Sequence, residues 1–114
     1  MKNDDTLWLQ VYQRSGDLFL GVPFNLFSYS VLVHMMAHLT KKKVGGLVHI
    51  IGDAHIYDNH KDAVREQLQR NVHRPPTFRV KEGCAATIWE DFTLDSFELV
   101  DYTCEDALKA NMIA

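Results

Sequence analysis

The chain has 114 residues, of which 46% are apolar and 24% charged, a composition unlike that of disordered, collagen-like or rod-forming coiled-coil sequences. A chain of this order supports one domain that buries roughly two-thirds of its unfolded surface, so residues 1-114 are read as a single domain. Twelve Lys and Arg against fifteen Asp and Glu give a net charge of -3, and a nucleic-acid binder needs many cations on one face, so no nucleic-acid partner is expected.

Leu7, Leu9 and Val11 alternate with Trp8, Gln10 and Tyr12, the period-2 pattern of a strand with both faces covered. Gly16 and Gly21 then punctuate a loop, and Pro23-Phe24-Asn25 reads as a helix start with Asn25 as the N-cap. From Leu26 to Leu39 the apolar residues run nearly all the way round a helical wheel, which predicts a buried helix. Lys41 to Lys43 suit its C-terminal turn, and Gly45-Gly46 are read as its end. Leu47 to Ile51 is a second strand, which Gly52 and Asp53 to Tyr57 either continue or turn away from. Asp58-Asn59 are placed to cap a second helix over Lys61 to Gln69, with Ala63, Val64 and Leu68 as its inner contacts. Pro75-Pro76 excludes helix, so Thr77 to Val80 is a strand, and Phe92 to Tyr102, with Phe97 and Leu99 alternating, is another. Strand, helix, strand, helix, strand, strand and an irregular tail make an α+β chain of the α/β three-layer type.

Cys84 and Cys104 form no C-x-x-C motif, so they read as reduced thiols of an intracellular, cytoplasmic protein. The start, Met1-Lys2-Asn3-Asp4-Asp5, is polar, and the longest apolar stretch lies within Val31 to Ala37; neither a secretory signal nor a membrane span is expected. His34 and His38 stand at i, i+4, but Met35 follows His34 where a zinc protease has Glu, so the pair reads as packing histidines and no metal is assigned. Phosphate-loop, dinucleotide-binding and nucleophile-elbow glycine motifs do not occur in the sequence.

Gln13 to Asn25 concentrates polar groups between a strand and a buried helix, where they are costly unless partnered. Arg14 and Ser15 offer a guanidinium fork and a hydroxyl, the equipment for a phosphate monoester. Asn25 carries a donor and an acceptor that match N3-H and O4 of a uracil ring, whereas cytosine presents the reverse pattern. His55 and Tyr57, two residues apart in an extended segment, share a face suited to a sugar hydroxyl, with Ile56 directed to the core. Each of these residues has a plain structural reading beside the ligand one: caps for the loop residues, and a strand surface for His55 and Tyr57.

Gln13-Arg14-Ser15-x-Asp17-x-Phe19-Leu20-Gly21-x-Pro23-Phe24-Asn25, followed by Gly52-Asp53-x-His55-Ile56-Tyr57-x-Asn59-His60, resembles the second half of thymidylate synthase. The resemblance continues through Arg74-Pro75-Pro76 to the tail Leu108-Lys109-Ala110, which is similar to the family's closing C-terminal segment. It implies a mixed sheet with a long buried helix, truncated at the N-terminus, with Asn3-Asp4-Asp5 at a hairpin turn. It further implies that Arg14 and Ser15 contact the phosphate of dUMP, Asn25 its uracil, and His55 and Tyr57 its deoxyribose. Asp17 would bond the pterin of 5,10-methylenetetrahydrofolate beside Leu20, Gly21 and Phe24, although no cofactor is required for folding.

The family's nucleophile lies in a Pro-Cys-His motif, and this sequence contains none; neither Cys84 nor Cys104 matches it, so no catalytic residue is assigned. Glu105-Asp106 stand where the family has His-Pro. The expectation is a truncated homologue that carries dUMP- and folate-site residues and is inactive alone. Two alternatives accompany it: a stand-alone, phage-type interaction or regulatory protein on the same scaffold, and the C-terminal piece of a split enzyme that methylates dUMP. Either way the first strand needs a covering partner, which makes a homodimer or a complex with another protein the expected state.

Overall fold

Alternation of side chains carries the first strand beyond Tyr12 to Asp17. In the computed structural model, which describes residues 5–112, β1 spans Thr6–Asp17 and β2 Lys43–His55, and the two pair in parallel with α1 (Val22–Leu39) between them in the chain. The ladder runs from Thr6 opposite Lys43 to Asp17 opposite His55. Arg14, Ser15 and Gly16, expected in a loop, are therefore strand residues, because Gly52 to His55 extends alongside them. Gly16 serves close approach and not a turn: a Cβ there would lie 3.0 Å from Val22 Cγ2 and 3.2 Å from Ile51 Cγ2, where α1 starts against the sheet. The turn assigned to Asn3-Asp4-Asp5 falls, apart from Asp5, outside the described residues.

The register slips between Leu7, opposite Val44, and Trp8, opposite Gly46, so Gly45 is the extra residue of a bulge. Gly45 and Gly46, read as a helix stop, instead lie in β2 as a bare platform for the Trp8 indole. A Cβ on Gly46 would sit 2.6 Å from Trp8 Cζ3, so neither position has room for a side chain while the ring lies there.

Gly21 is the N-cap of α1, and Asn25 lies inside the first turn with its N–H donating to Gly21 O at 3.0 Å. The N-cap reading of Asn25 fails because Pro23, which supplies no N–H, already occupies the start of the helix. At the other end Lys41 N–H donates to His38 O (3.2 Å) and Lys42 N–H to Ala37 O (2.9 Å). This is a Schellman closure with Lys41, at φ 55°, where glycine is usual. The lysines thus lie beyond α1, Lys43 opening β2. Val22, Val33 and Ala37 are buried, but Phe24 and Phe27 are 73% and 51% exposed, so the helix is not enclosed all round. The sheet covers one side, and Phe78 covers another through Phe27 (5.7 Å) and His34 (5.1 Å between ring centroids).

A turn of 3-10 helix, Asp58–His60, leads into α2 (Lys61–Gln69). His60 and not Asp58-Asn59 occupies the cap position of α2, and Leu68, expected inward, is 80% exposed. β3 (Thr77–Val80) and β4 (Phe97–Val100) pair antiparallel. The strand expected over Phe92 to Tyr102 is shortened to β4 because a 3-10 turn occupies Leu94–Ser96, following another at Trp89–Asp91. Asp91 fixes the earlier of these by accepting from Thr87 N–H (2.8 Å) and Ile88 N–H (3.2 Å), bonds that hold its carboxyl below the usual range. Phe78, Phe97 and Phe92 stack in sequence at 5.5 Å and reach α1 again at His38. The class is α+β, with the parallel and antiparallel ladders in separate two-stranded sheets among the described residues. None of the described helices is long and apolar enough to cross a membrane.

Left-handed backbone at a non-glycine residue costs on the order of 1 kcal/mol. Lys41→Gly is expected to raise stability by about 0.5–1 kcal/mol in urea denaturation; an unchanged or lower midpoint would show that Lys41 sits there without strain.

Candidate functional site

The inward row of β1 reads Leu7, Leu9, Val11, Gln13, and that of β2 reads Leu47, His49, Ile51. A polar residue interrupts each row, and the structure joins the two. His49 Nε2 donates to Gln13 Oε1 at 2.8 Å, and Gln13 Nε2 donates to Ser15 O (2.7 Å) and to Asn25 Oδ1 (3.1 Å). Both amide protons of Gln13 are thereby used, one on the strand and one on the helix. The orientation of Asn25 follows: its oxygen faces Gln13, and its NH₂ is left to point elsewhere. A flip would set two NH₂ groups against each other. The ring of His49 is itself held at its edge by Tyr29, with centroids 5.7 Å apart. Gln13 and His49 carried no individual role in the sequence reading; a polar residue within an inward apolar row is the signal that marks them.

At the end of the ladder, Ser15, Asp53, His55 and Tyr57 line a cavity of about 440 Å³. The His55 and Tyr57 rings meet edge to face at 5.0 Å, so the structure brings these two sequence-selected residues together. His55 Nδ1 lies 3.2 Å from Asp53 O; a carbonyl only accepts, so Nδ1 carries the proton and Nε2 of the neutral ring is an acceptor. An acceptor beside a phenol suits a hydroxyl group. Ile56, expected in the core, is 41% exposed and lines the same cavity. Arg14 is not brought into it. Neighbouring residues of a strand leave opposite faces, and Arg14 lies with exposed Tyr12 while Ser15 lies with Gln13.

Asp17 ends β1 and builds the next turn: Oδ1 accepts from Phe19 N–H (2.9 Å) and Leu20 N–H (3.2 Å), and its carbonyl accepts from Gly21 N–H (3.0 Å). Its second oxygen, Oδ2, faces His60 Nδ1 at 3.8 Å. The turn sets Phe19, Leu20, Pro23 and Phe24 along one wall of a second cavity of about 580 Å³. The facing wall comes from Arg70, His73 and the tail around Cys104 to Leu108. An apolar, aromatic wall with a carboxylate nearby fits a flat heteroaromatic ring.

His34 and His38 face protein and not each other's ligand. His34 packs on Phe78, and burial pushes it below the ordinary imidazole range; His38 Nε2 bonds Ala86 O at 3.2 Å. Among the described residues no group of three or more His, Cys, Asp or Glu is placed to hold a metal ion.

Gln13→Leu leaves the Ser15 carbonyl, the Asn25 oxygen and the His49 ring short of a partner. A loss of about 1–3 kcal/mol in chemical denaturation is expected; a neutral substitution would mean that water replaces the carboxamide at no cost.

The family model described as thymidylate synthase matches residues 1–114. Thymidylate synthase of Leuconostoc mesenteroides is 49% identical over 107 residues, which cover 94% of this chain and 33% of that protein. The thymidylate synthase of Staphylococcus haemolyticus is 46% identical over the same shares. Thymidylate synthase 1/2 of Encephalitozoon cuniculi is 46% identical over 97% of this chain and 38% of its own length. The chain thus spans about a third of the length of the curated relatives it matches. A family match across every residue means that this chain belongs to the thymidylate synthase family.

Proposed function

We propose that this chain is a uracil-nucleotide-binding portion of the thymidylate synthase scaffold that does not turn over by itself. The supporting observation is the fixed carboxamide of Asn25, whose oxygen is turned toward Gln13 by the chain of bonds from His49. With that orientation the NH₂ donates to O4 of uracil and the second lone pair of Oδ1 accepts from N3-H. Cytosine requires the opposite arrangement, and Asn25 reaches it only by turning its NH₂ against the Gln13 donor. The cavity at His55 and Tyr57 accommodates the deoxyribose hydroxyl, and Ser15 at its edge serves the phosphate.

The wall formed by Leu20 and Phe24, with Asp17 and Gly21 behind it, fits the pterin of 5,10-methylenetetrahydrofolate, which when bound supplies the one-carbon unit and the electrons of the methylation. The step that needs a cysteine has no group among these 114 residues in the family's Pro-Cys-His setting. Positioning groups do not replace an activated nucleophile. Methylation of dUMP then depends on residues outside this sequence.

Calorimetry is expected to show binding of dUMP and none of dCMP, with Gln13→Leu abolishing the preference. Addition of methylenetetrahydrofolate should yield no dihydrofolate absorbance. Equal binding of both nucleotides, or of neither by a folded chain, removes the nucleotide reading, and turnover by the chain alone removes the claim of dependence.

The outer face of the β1–β2 sheet presents Trp8 (62% exposed), Tyr12 (73%), Val48 and Ile50. Parallel strands are ordinarily covered on both faces, and we propose that a second copy of the chain covers this one. Light scattering at micromolar concentration should give twice the chain mass, and Tyr12→Glu should halve it. A monodisperse monomer of the unmodified chain would contradict this assembly.

A further inference from the structure

His60 is the buried polar side chain of the described residues, with no exposed surface at all, and the chemistry of neither cavity uses it. Its ring lies between Phe19 (5.6 Å), from the turn after β1, and Tyr57 (5.5 Å between centroids), from just beyond β2. Nε2 is 2.8 Å from the Asn111 carbonyl; a carbonyl only accepts, so Nε2 carries a proton. Nδ1 is buried without a hydrogen-bond partner and faces Asp17 Oδ2 at 3.8 Å. In a ring protonated on Nε2 alone, Nδ1 is a lone pair set against a carboxylate oxygen, two acceptors with no donor between them. Water is not placed to supply the donor, because Nδ1 has no surface on which a water molecule could sit. A proton is the donor that fits.

We propose that His60 is protonated on both nitrogens in the folded chain and that this imidazolium is the positioning residue of Asp17. The surroundings of the ring suit a cation. Asp17 Oδ2 takes the Nδ1 proton as the pair closes from 3.8 Å, and the Asn111 carbonyl, which Asn59 Nδ2 also holds at 3.2 Å, takes the other. Phe19 and Tyr57 place aromatic rings within cation–π reach on either side. Among these neighbours Asp17, from β1, is the one charged group; the turn contributes Phe19, the segment after β2 Tyr57 and Asn59, and the tail a carbonyl. A buried charge is costly alone and is retained where it is paired and its protons are all hydrogen-bonded. The consequence falls on Asp17. Its Oδ1 is committed to the N–H groups of Phe19 and Leu20, so the direction of Oδ2 is set by what stands opposite it. A bare Nδ1 repels that oxygen; an imidazolium draws it in, and opposite charges then lock the turn at Asp17 to the segment that carries Tyr57 and His60.

The pair forms from the chain's own groups, independently of the ligands proposed above, and its test uses none. A long-range nitrogen–proton spectrum at about pH 7.5, where an ordinary imidazole is neutral, is expected to show protons on both ring nitrogens of His60. In Asp17→Asn the carboxamide oxygen still accepts from Phe19 and Leu20 while its NH₂ faces Nδ1 as a donor, so the Nδ1 proton should vanish and the Nε2 proton stay. Amide hydrogen exchange at Phe19 and Leu20, taken relative to the protected amides of the β1–β2 ladder, should quicken about tenfold in His60→Phe, the effect of one hydrogen bond to a charged group. It should fall back in His60→Gln, whose amide restores a donor to Asp17. A packing role alone predicts the reverse order, since Phe keeps the ring and Gln does not. If His60→Phe does not fold, the spectrum of the unmodified chain and that of Asp17→Asn still decide the matter. A single proton on the His60 ring at that pH, an Nδ1 proton that survives in Asp17→Asn, or slower exchange in His60→Phe than in His60→Gln overturns the proposal.

Discussion

Parallel pairing of β1 with β2 carries the rest of the structure, since every group of the candidate site is placed by its register. A slip of β1 by one residue would send Gln13 to the outer face, away from His49, and bring Tyr12 inward. The bulge at Gly45 and the indole laid across Gly45 and Gly46 mark that register at one end. The contact of Gly16 with Val22 marks it at the other and sets the start of α1 against the sheet. With the strands aligned in this way, Asp17 falls opposite His55 and Ser15 opposite Asp53. Residues far apart in the chain thus meet at one end of the ladder.

The polar chain from His49 through Gln13 to Asn25 is the second consequence of that alignment. Buried polar groups in a partly satisfied network are unfavourable relative to an apolar core. Here each link has a partner, and the network defines one orientation of a carboxamide that could otherwise take two. The apolar core is correspondingly modest: Val22, Val33, Ala37 and Ala86 are its buried members among the described residues, with the Phe78, Phe97 and Phe92 stack behind α1. Large apolar side chains remain on the outer sheet face, where a parallel pair is normally covered.

Asp17 and His60 connect the two cavities with the tail. Asp17 spends one carboxylate oxygen on the turn and presents the other to a ring that has no exposed surface. That ring reaches the tail through Asn111. The same few residues therefore shape the wall at Leu20, end the strand that lines the cavity at His55 and Tyr57, and hold the tail at Asn111.

Much of the element order was legible because it rests on local chemistry. Alternation at Leu7 to Tyr12, the apolar wheel from Leu26 to Leu39, the polar run at Lys61 to Gln69 and the proline pair before Thr77 each report an immediate backbone preference. The motif residues Arg14, Ser15, Asp17, Asn25, His55 and Tyr57 were legible as a set by resemblance, and His55 with Tyr57 by their spacing. What failed to show were the roles that depend on distant neighbours. Gly16 and Gly45-Gly46 read as punctuation, although they make room for Val22 and Trp8. Asn25 read as a cap, although Gln13 is what holds it, and His60 gave no sign of its place at the join of turn and tail. Local propensity acts through residues a few positions away, so the sequence by itself determined which segments are strands and helices and which family they belong to. Close approach, amide orientation and the seating of the tail arise between atoms brought together only by the ladder, and those the tertiary structure alone decided.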